Sequence, residues 1–91
     1  MEISYDADKR DWTLRERGLD FYDAVQVFAG TTIDFIDDRK DYGELRWLSF
    51  GHLLGRLLVV VWTQRGDARH IISMRKANER EQAKFERQLR S

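Results

Sequence analysis

The sequence predicts an α+β fold in which helices pack on a mostly antiparallel, twisted sheet. Two observations carry this prediction. Three apolar or alternating runs in the second half of the chain are separated by short turns, as in antiparallel strands. Residues with helical spacing and helix-capping side chains occur near both ends of the chain. The predicted order of elements is β-α-α-β-β-β-β-α, and one domain is expected to occupy residues 1–91.

A strand and a helix are predicted at the start of the chain. Ile3 and Tyr5 alternate with polar residues, which indicates a short strand. Asp8 is a candidate N-cap for a helix over residues 9–17, because its carboxylate can accept backbone N–H groups of the first turn. Gly18 fits the position after that helix, where a left-handed backbone favours glycine.

A second helix and a strand follow. Asp20 is a candidate cap for the helix and Gly30 its candidate end. Thr31–Ile36 predicts a strand, because Thr, Ile and Phe dominate it. Asp37–Gly43 predicts a polar loop. The apolar residues with helical spacing in the second helix are Phe21, Ala24, Val25 and Phe28.

Three further strands are predicted. Glu44–Phe50 alternates, Arg56–Thr63 is nearly all apolar, and Ala68–Arg75 alternates more loosely. Gly51–Gly55 and Gln64–Asp67 are the hairpin turns between them. Three consecutive valines in the middle run predict that this strand is covered on both faces.

The last helix is predicted over Asn78–Arg90. Asn78 and Glu81 have the spacing of a capping box. The apolar stripe of this helix is narrow and consists of Ala83, Phe85 and Leu89. We therefore expect the helix either to dock lightly or to be completed by a partner.

Strand alternation predicts which side chains share a face. A two-residue loop in the Gln64–Asp67 hairpin places Thr63 beside His70. Regular pairing then sets Val61 opposite Ile72 and Val59 opposite Met74. The other face would carry Leu58, Val60 and Trp62 together with Arg69, Ile71, Ser73 and Arg75.

Composition excludes several classes of site. The chain has no cysteine, hence no disulfide framework and no thiolate metal site. Its two histidines, His52 in a predicted turn and His70 in a predicted strand, have no partner at metal-ligand spacing. No apolar run approaches the roughly 18 residues of a membrane span. The charged start MEISYDADKRDW is unlike a signal peptide, so we expect a cytoplasmic protein.

The charges are unevenly placed although they sum to a net charge of zero. Residues 1–46 carry −5, residues 47–64 carry +1, and residues 65–91 carry +4. A basic C-terminal third predicts an anionic partner held at one place. The alternative is that opposite charges simply decorate a solvated surface.

Four cations are candidates for one anion site. Arginine matches phosphate oxygens, and a helix N-terminus adds backbone N–H groups, so a cluster there could hold a phosphodiester. The alternative is that each cation pairs with Glu44, Asp67, Glu79 or Glu81. The four candidates are Arg65, Arg75, Lys76 and Arg80.

Other chemistry-bearing residues have two interpretations each. His70 is a candidate general base or a surface strand residue. Ser73 has no evident partners for a catalytic triad. Trp47 and Trp62 could stack nucleobases or belong to the core.

The order of these segments resembles the BrnT family of type II toxin–antitoxin toxins. The resemblance covers nearly the whole chain, through YDADKRDW, GLDFYDAVQVF, DYGELRWLSFG and GRLLVVVWTQRGDARHIISMRKANERE. It implies a fold similar to RelE toxins and a bacterial ribonuclease that arrests growth by cutting RNA. It also implies cleavage without a metal cofactor, in which the 2′-OH attacks the adjacent phosphate.

The resemblance implies partners as well. The expected antitoxin is a BrnA-type protein with a ribbon-helix-helix DNA-binding part, and the toxin–antitoxin complex is expected to bind operator DNA. An antitoxin of this kind would cover apolar surface and the basic residues together.

The residues that match family motifs are Arg65, Arg75 and Lys76, with Glu44, Arg46, Glu79 and Arg80 matching less closely. We expect catalytic roles for Arg65, Arg75, Lys76 and Glu44. We expect Arg46, Arg69 and Arg80 to bind RNA. The general base is left open among Glu44, Glu79 and His70.

Three positions depart from the family pattern. Relatives commonly have Glu where this chain has Gln64, Arg where it has His70, and Tyr where it has Phe85. Gln64 cannot act as a base and Phe85 cannot donate a proton. Two alternatives to a nuclease are therefore a non-catalytic module that binds nucleic acid or antitoxin through the same basic face, and a structural domain that depends on a partner.

Overall fold

The computed structural model describes residues 1–91 as an α+β fold, which confirms the predicted class and element order. The helices are α1 (Ala7–Arg17), α2 (Ala24–Ala29) and α3 (Glu79–Arg90), and a 3₁₀ turn, Phe21–Asp23, leads into α2. The strands are β1 (Glu2–Tyr5), β2 (Ile33–Ile36), β3 (Trp47–Leu53), β4 (Arg56–Arg65) and β5 (Ala68–Lys76). They form one sheet in the order β1-β5-β4-β3-β2. Only β1 and β5 run parallel.

Capping residues define the helix ends. The N-cap of α1 is Asp6 and not Asp8, because Asp6 accepts the backbone N–H groups of Asp8 and Lys9. Gly18 ends α1 with φ of 69°, as predicted. The predicted capping box of α3 is confirmed, since Asn78 and Glu81 each accept the other's backbone N–H.

The third strand is displaced from its prediction of Glu44–Phe50. It begins at Trp47, because the carbonyl of Arg46 accepts the N–H of Asp37 and that of Leu45 accepts the hydroxyl of Thr63. At its other end β3 continues to Leu53. His52 therefore lies in a strand rather than in a turn, and its ring packs edge-on against Phe85 at 5.4 Å.

A β-bulge in β5 overturns part of the predicted register. Thr63 pairs with His70 as predicted, but Ile72 has no partner on β4. Beyond the bulge, Val61 lies opposite Ser73 and not Ile72, and Val59 lies opposite Arg75 and not Met74. The extra residue exchanges the two faces for the rest of the strand. Ser73 and Arg75 consequently project from the face opposite to the one predicted.

Both faces of the sheet are covered along β4, as the three consecutive valines predicted. The helix-pair face carries Leu58, Val60, Trp62, Ile71 and Met74, which pack against Leu19, Phe21, Ala24 and Val27. The second face, called the α3 face below, carries Phe50, Leu57 and Val59, which pack with Ala77 and Phe85.

The last helix docks lightly. Phe85 is its one buried residue, whereas Leu89 is 52% exposed. The helix thus covers only the part of the α3 face near its own anchor, and the face continues beyond it. None of the three helices has the length and hydrophobicity that a membrane-spanning helix requires.

Candidate functional site

Polar side chains from three adjacent strands share the α3 face. Strand alternation places Arg65 on this face together with Leu57 and Val59 of the same strand. The pairing of Thr63 with His70 and of Val59 with Arg75 brings these β5 residues to the same face on either side of the bulge. Ser4 of β1 pairs with His70 and completes the row. The bulge therefore allows one face to carry both His70 and Arg75.

One end of this row is built around Glu44. Its carboxylate lies 3.2 Å from Nε of Arg46 and 3.6 Å from Nη2 of Arg65. The guanidinium of Arg46 also lies over the ring of Tyr42, 4.1 Å from its centroid. Glu44 and Arg46 are half-buried and Arg65 is exposed, so the arginine fork at the edge can reach an anion from solvent.

His70 adjoins this cluster. Its Nδ1 lies 2.9 Å from Oγ of Ser4. Burial lowers the pKa of His70, the nearby cation of Arg65 lowers it further, and the carboxylate of Glu44 opposes the shift. The lowered pKa favours the neutral imidazole, which can accept a proton. When Nδ1 donates to Ser4, the Nε2 lone pair is the accepting site.

The other end of the row is an ion pair between β5 and α3. Arg75 donates from Nη1 and Nη2 to the two carboxylate oxygens of Glu81, at 2.8 and 2.7 Å. This hydrogen bonding raises the pKa of Arg75 and lowers the pKa of Glu81. Because Glu81 also closes the capping box with Asn78, the pair fixes the start of α3 on the sheet.

The loop between β2 and β3 closes over the middle of the row. Thr63 is buried under it and donates its hydroxyl to the carbonyl of Leu45 at 2.6 Å. Buried Asp37 accepts two guanidinium N–H groups from Arg39 and the hydroxyl of Tyr42. Hydrogen bonding to Arg39 lowers the pKa of Asp37 to about 2. A charged network thus holds this loop against the face.

The single cluster predicted from Arg65, Arg75, Lys76 and Arg80 does not form. Arg65 and Arg75 share the α3 face, but Arg75 lies opposite Val59, six residues from Arg65 along β4. Their Cα atoms are therefore roughly 20 Å apart along the sheet. Lys76, opposite Leu58, projects from the helix-pair face. Arg80 is exposed in the first turn of α3, and Glu79 next to it is exposed as well.

The alternative prediction of internal pairing holds for two arginines, since Arg65 meets Glu44 and Arg75 meets Glu81. Each pair still leaves the arginine side chain partly exposed, by 53% for Arg65 and 38% for Arg75. Internal pairing and contact with an external anion are therefore compatible at both positions.

Arg69 and the tryptophans lie on the other side of the sheet. The guanidinium of Arg69 stacks over Phe28 and Trp62, 4.5 and 4.3 Å from the ring centroids. Trp47 stacks on Trp62 at 6.0 Å, and Nε1 of Trp62 donates to Ser49. Trp62 is 7% exposed, which confirms the core interpretation for it. These side chains do not adjoin His70.

Sequence reasoning missed Ser4, Arg39 and Tyr42. Ser4 lies between Ile3 and Tyr5 in β1, and the parallel pairing with β5, which the sequence does not indicate, brings it to His70. Arg39 and Tyr42 occur in the polar loop DDRKDYG, whose composition predicted a loop without indicating what it would cover. The available signal was the spacing of Asp37 and Arg39, two residues apart, which could have indicated an ion pair within the loop.

Comparison with known proteins places the chain in a family. The sequence model of a family described as "Ribonuclease toxin, BrnT, of type II toxin-antitoxin system" matches residues 5–81. A search of curated proteins found no significant match. The matched segment contains Glu44, Arg65, His70 and Arg75, and it ends at Glu81. The chain therefore belongs to the BrnT family of ribonuclease toxins from type II toxin–antitoxin systems.

Proposed function

We propose that this chain cuts RNA without a metal cofactor, at the end of the α3 face formed by Glu44, Arg65 and His70. The observation that carries the proposal is that His70 shares an open face with the Arg65–Glu44 pair, near enough for both charges to act on the pKa of its imidazole. Family membership supplies RNA as the target and an antitoxin as the partner. The assignment of residues rests on the geometry.

The reaction proposed is attack of a ribose 2′-OH on the adjacent phosphorus. His70 takes the 2′-OH proton, the new P–O bond forms, and the bond to the 5′-oxygen breaks. The leaving 5′-oxygen takes a proton from water, and the product ends carry a 2′,3′-cyclic phosphate and a 5′-OH. Negative charge grows on the phosphoryl oxygens in the transition state, where Arg65 can donate hydrogen bonds.

Glu44 and Arg46 are positioning residues in this proposal. The carboxylate of Glu44 contacts both arginines and keeps their guanidinium groups at the edge of the face. It also opposes the lowering of the His70 pKa. Glu79 is exposed on α3 and receives no role as the base. Lys76 and Arg69, expected from the sequence to act in the site, lie on the opposite face and receive none.

Arg75 is assigned to RNA binding at the far end of the face. An RNA strand that reaches from Arg65 to Arg75 would follow the row of polar side chains between the loop and α3. The exposed part of Arg75 is then a phosphate contact rather than part of the chemistry, and Arg80 in the first turn of α3 extends it.

The antitoxin is proposed to be a BrnA-type ribbon-helix-helix protein, and the complex to bind operator DNA. Acidic side chains of such a partner would meet the two partly exposed arginines, and apolar side chains would meet the lightly docked α3. Growth arrest follows if the uncomplexed toxin cuts cellular RNA, which places its action in the cytoplasm.

A binding module without catalysis is the second candidate. The observation that favours it is the internal pairing of both arginines. Each guanidinium is neutralised by a carboxylate even when no substrate is bound, so the free energy of keeping the two arginines on this face is lower. Such a module would bind RNA with an affinity that falls with salt and would leave the strand intact.

Incubation with naked RNA in excess EDTA tests the proposal. We expect cleavage by the wild type, loss in His70→Ala and Arg65→Ala, and a smaller loss in Arg75→Ala. Arg56→Ala is the control, because it removes an exposed arginine from the β3–β4 hairpin. Circular dichroism checks the fold of each variant. Binding without cleavage would favour the binding module, and cleavage restored only by added Mg²⁺ would overturn metal independence.

A further inference from the structure

A cavity of about 220 Å³ lies between α1 and β5, beside the proposed catalytic end. It exists because β1 is short. The strand pairs with β5 only from Ala68 to Ile71, so the edge of β5 beyond that point has no strand partner. The bulge at Ile72 bends the strand at the same place. The lining residues are Lys9, Trp12, Thr13, Arg17, Ile72 and Ser73.

One wall of the cavity is a planar, partly exposed surface. Trp12 is 46% exposed although its ring is large and apolar. The guanidinium of Arg17 lies over this ring, 5.1 Å from its centroid. Arg17 also donates from Nη1 to the carbonyl of Met74 at 2.8 Å, which holds the guanidinium in place. A flat aromatic surface fixed beside a cation is a stacking platform for another planar group.

The rest of the lining provides polar contacts. Lys9, Trp12, Thr13 and Arg17 recur at helical spacing, so one side of α1 presents two cations, a ring and a hydroxyl. The hydroxyl of Thr13 donates to the carbonyl of Lys9 and retains its accepting lone pairs. Ser73 adds a second hydroxyl from β5. This mixture suits a ring that has both apolar faces and polar edges.

The cavity lies near the proposed catalytic end, since Lys9 of its lining acts on the pKa of His70. Ser73 and His70 project from the same face of β5 on the two sides of the bulge. Lys9 is close enough to His70 for its charge to contribute to the lowered pKa of the imidazole. A nucleotide whose phosphate lies at Arg65 and His70 would therefore have a neighbouring base within reach of the cavity.

We propose that this cavity binds one nucleobase of the RNA, stacked against Trp12 and Arg17, next to the phosphate at His70. A single base is the proposed occupant, because the cavity of about 220 Å³ is smaller than the roughly 300–1,000 Å³ of pockets that enclose drug-sized ligands. Lys9 would contact the adjoining phosphate. This inference rests on the proposed function, since it names a subsite of the same RNA-binding face.

The test uses Trp12→Ala and an RNA that cannot be cleaved. A short oligonucleotide with 2′-O-methyl groups is titrated against each protein by fluorescence anisotropy. We expect Trp12→Ala to weaken binding about tenfold, since it removes the ring on which the base stacks. The salt dependence of binding should stay the same, because no phosphate contact is removed. Leu14→Ala is the matched control, for it truncates another exposed apolar residue of α1 that does not line the cavity.

An abasic scan completes the test. Removing one base at a time from the oligonucleotide should weaken binding to the wild type at one position, and Trp12→Ala should abolish that position's effect. If Trp12→Ala binds every oligonucleotide as Leu14→Ala does, the subsite is wrong while the proposed function stands. If the wild type neither binds nor cuts RNA, the proposed function is overturned and the subsite falls with it.

Discussion

Arg75 and Glu81 form a two-point ion pair that joins β5 to the first turn of α3, with N···O distances of 2.8 and 2.7 Å. The same carboxylate accepts the backbone N–H of Asn78. One glutamate thus caps the helix, fixes it to the sheet and neutralises an arginine of the proposed RNA-binding face. Structural and functional roles of Arg75 can be separated, because Glu81→Gln retains the cap and removes the charge.

We predict that Glu81→Gln tightens RNA binding and that Arg75→Ala weakens it. The amide introduced by Glu81→Gln can still accept the N–H of Asn78 but no longer neutralises Arg75, so the guanidinium attracts phosphate more strongly. Fluorescence anisotropy with an uncleavable RNA measures both effects. Equal loss of affinity in the two variants would show that Arg75 acts through the fold alone.

We predict that a double-mutant cycle of Glu81→Gln and Arg75→Ala shows coupling in the free energy of unfolding. Each single change should lower the free energy of unfolding, and the double variant should lose less than the sum. The coupling is expected to be about 1 kcal/mol, because both partners are partly screened by solvent. Urea denaturation at low and high salt measures it, and the coupling should shrink at high salt.

We predict that the charges around His70 move its pKa in opposite directions. Arg65→Gln removes a cation that lowers this pKa, so the pKa should rise. Glu44→Gln removes an anion that raises it, so the pKa should fall. NMR titration of the His70 ring measures both shifts without depending on activity, and Arg56→Ala serves as the variant in which no shift is expected.

We predict that the pH dependence of RNA cleavage shifts in the same directions as the pKa of His70. If neutral His70 is the base, the cleavage rate rises with pH until the imidazole has lost its proton and is then flat. The residual activity of Arg65→Gln should reach its plateau at higher pH than wild type, and that of Glu44→Gln at lower pH. A rate profile that does not track the titration of His70 would assign the base to another group.

Interactions between residues close in sequence could be predicted at this site, whereas those that depend on packing between distant segments could not. The capping box at Asn78 and Glu81 is local and was predicted correctly. The register beyond Ile72 was not, because Ile71 and Ile72 are equally apolar and either can face the core. Burial of both Ile71 and Met74 requires the bulge, and only the packing of the helix-pair face decides it. The position of Arg75 depends on that choice.

We predict that the fold survives deletion of Ile72. The bulge adds one unpaired residue to β5, so its removal would leave Val61 opposite Ser73 and Val59 opposite Arg75 in a regular ladder. Met74 and Arg75 would keep their faces, and Ile72 is only half-buried, so the free energy of unfolding should fall by about 1–2 kcal/mol at most. Ile72→Ala is the control that keeps the residue count and the bulge. Circular dichroism and thermal melting measure both variants, and an unfolded deletion variant would contradict the bulge.

Leu54 offers a stabilising change away from the site. It occupies the first position of the two-residue hairpin loop between Leu53 and Arg56. Its φ is 50° and that of Gly55 is 79°, so both loop residues are left-handed, as in a type I′ turn. Leucine is unfavourable there, whereas Asn-Gly is the preferred pair. The side chain is 95% exposed, so its replacement gives up almost no buried apolar surface.

We predict that Leu54→Asn raises the free energy of unfolding by about 0.5–1 kcal/mol. Leu54→Ala is the control, because alanine keeps the unfavourable φ and should give little gain. RNA cleavage should be unchanged in both, since the loop joins the end of β4 opposite to Arg65. Chemical denaturation measures the difference. Destabilisation by asparagine would mean that the leucine side chain contributes to folding despite its exposure, and that backbone strain is the smaller term at this turn.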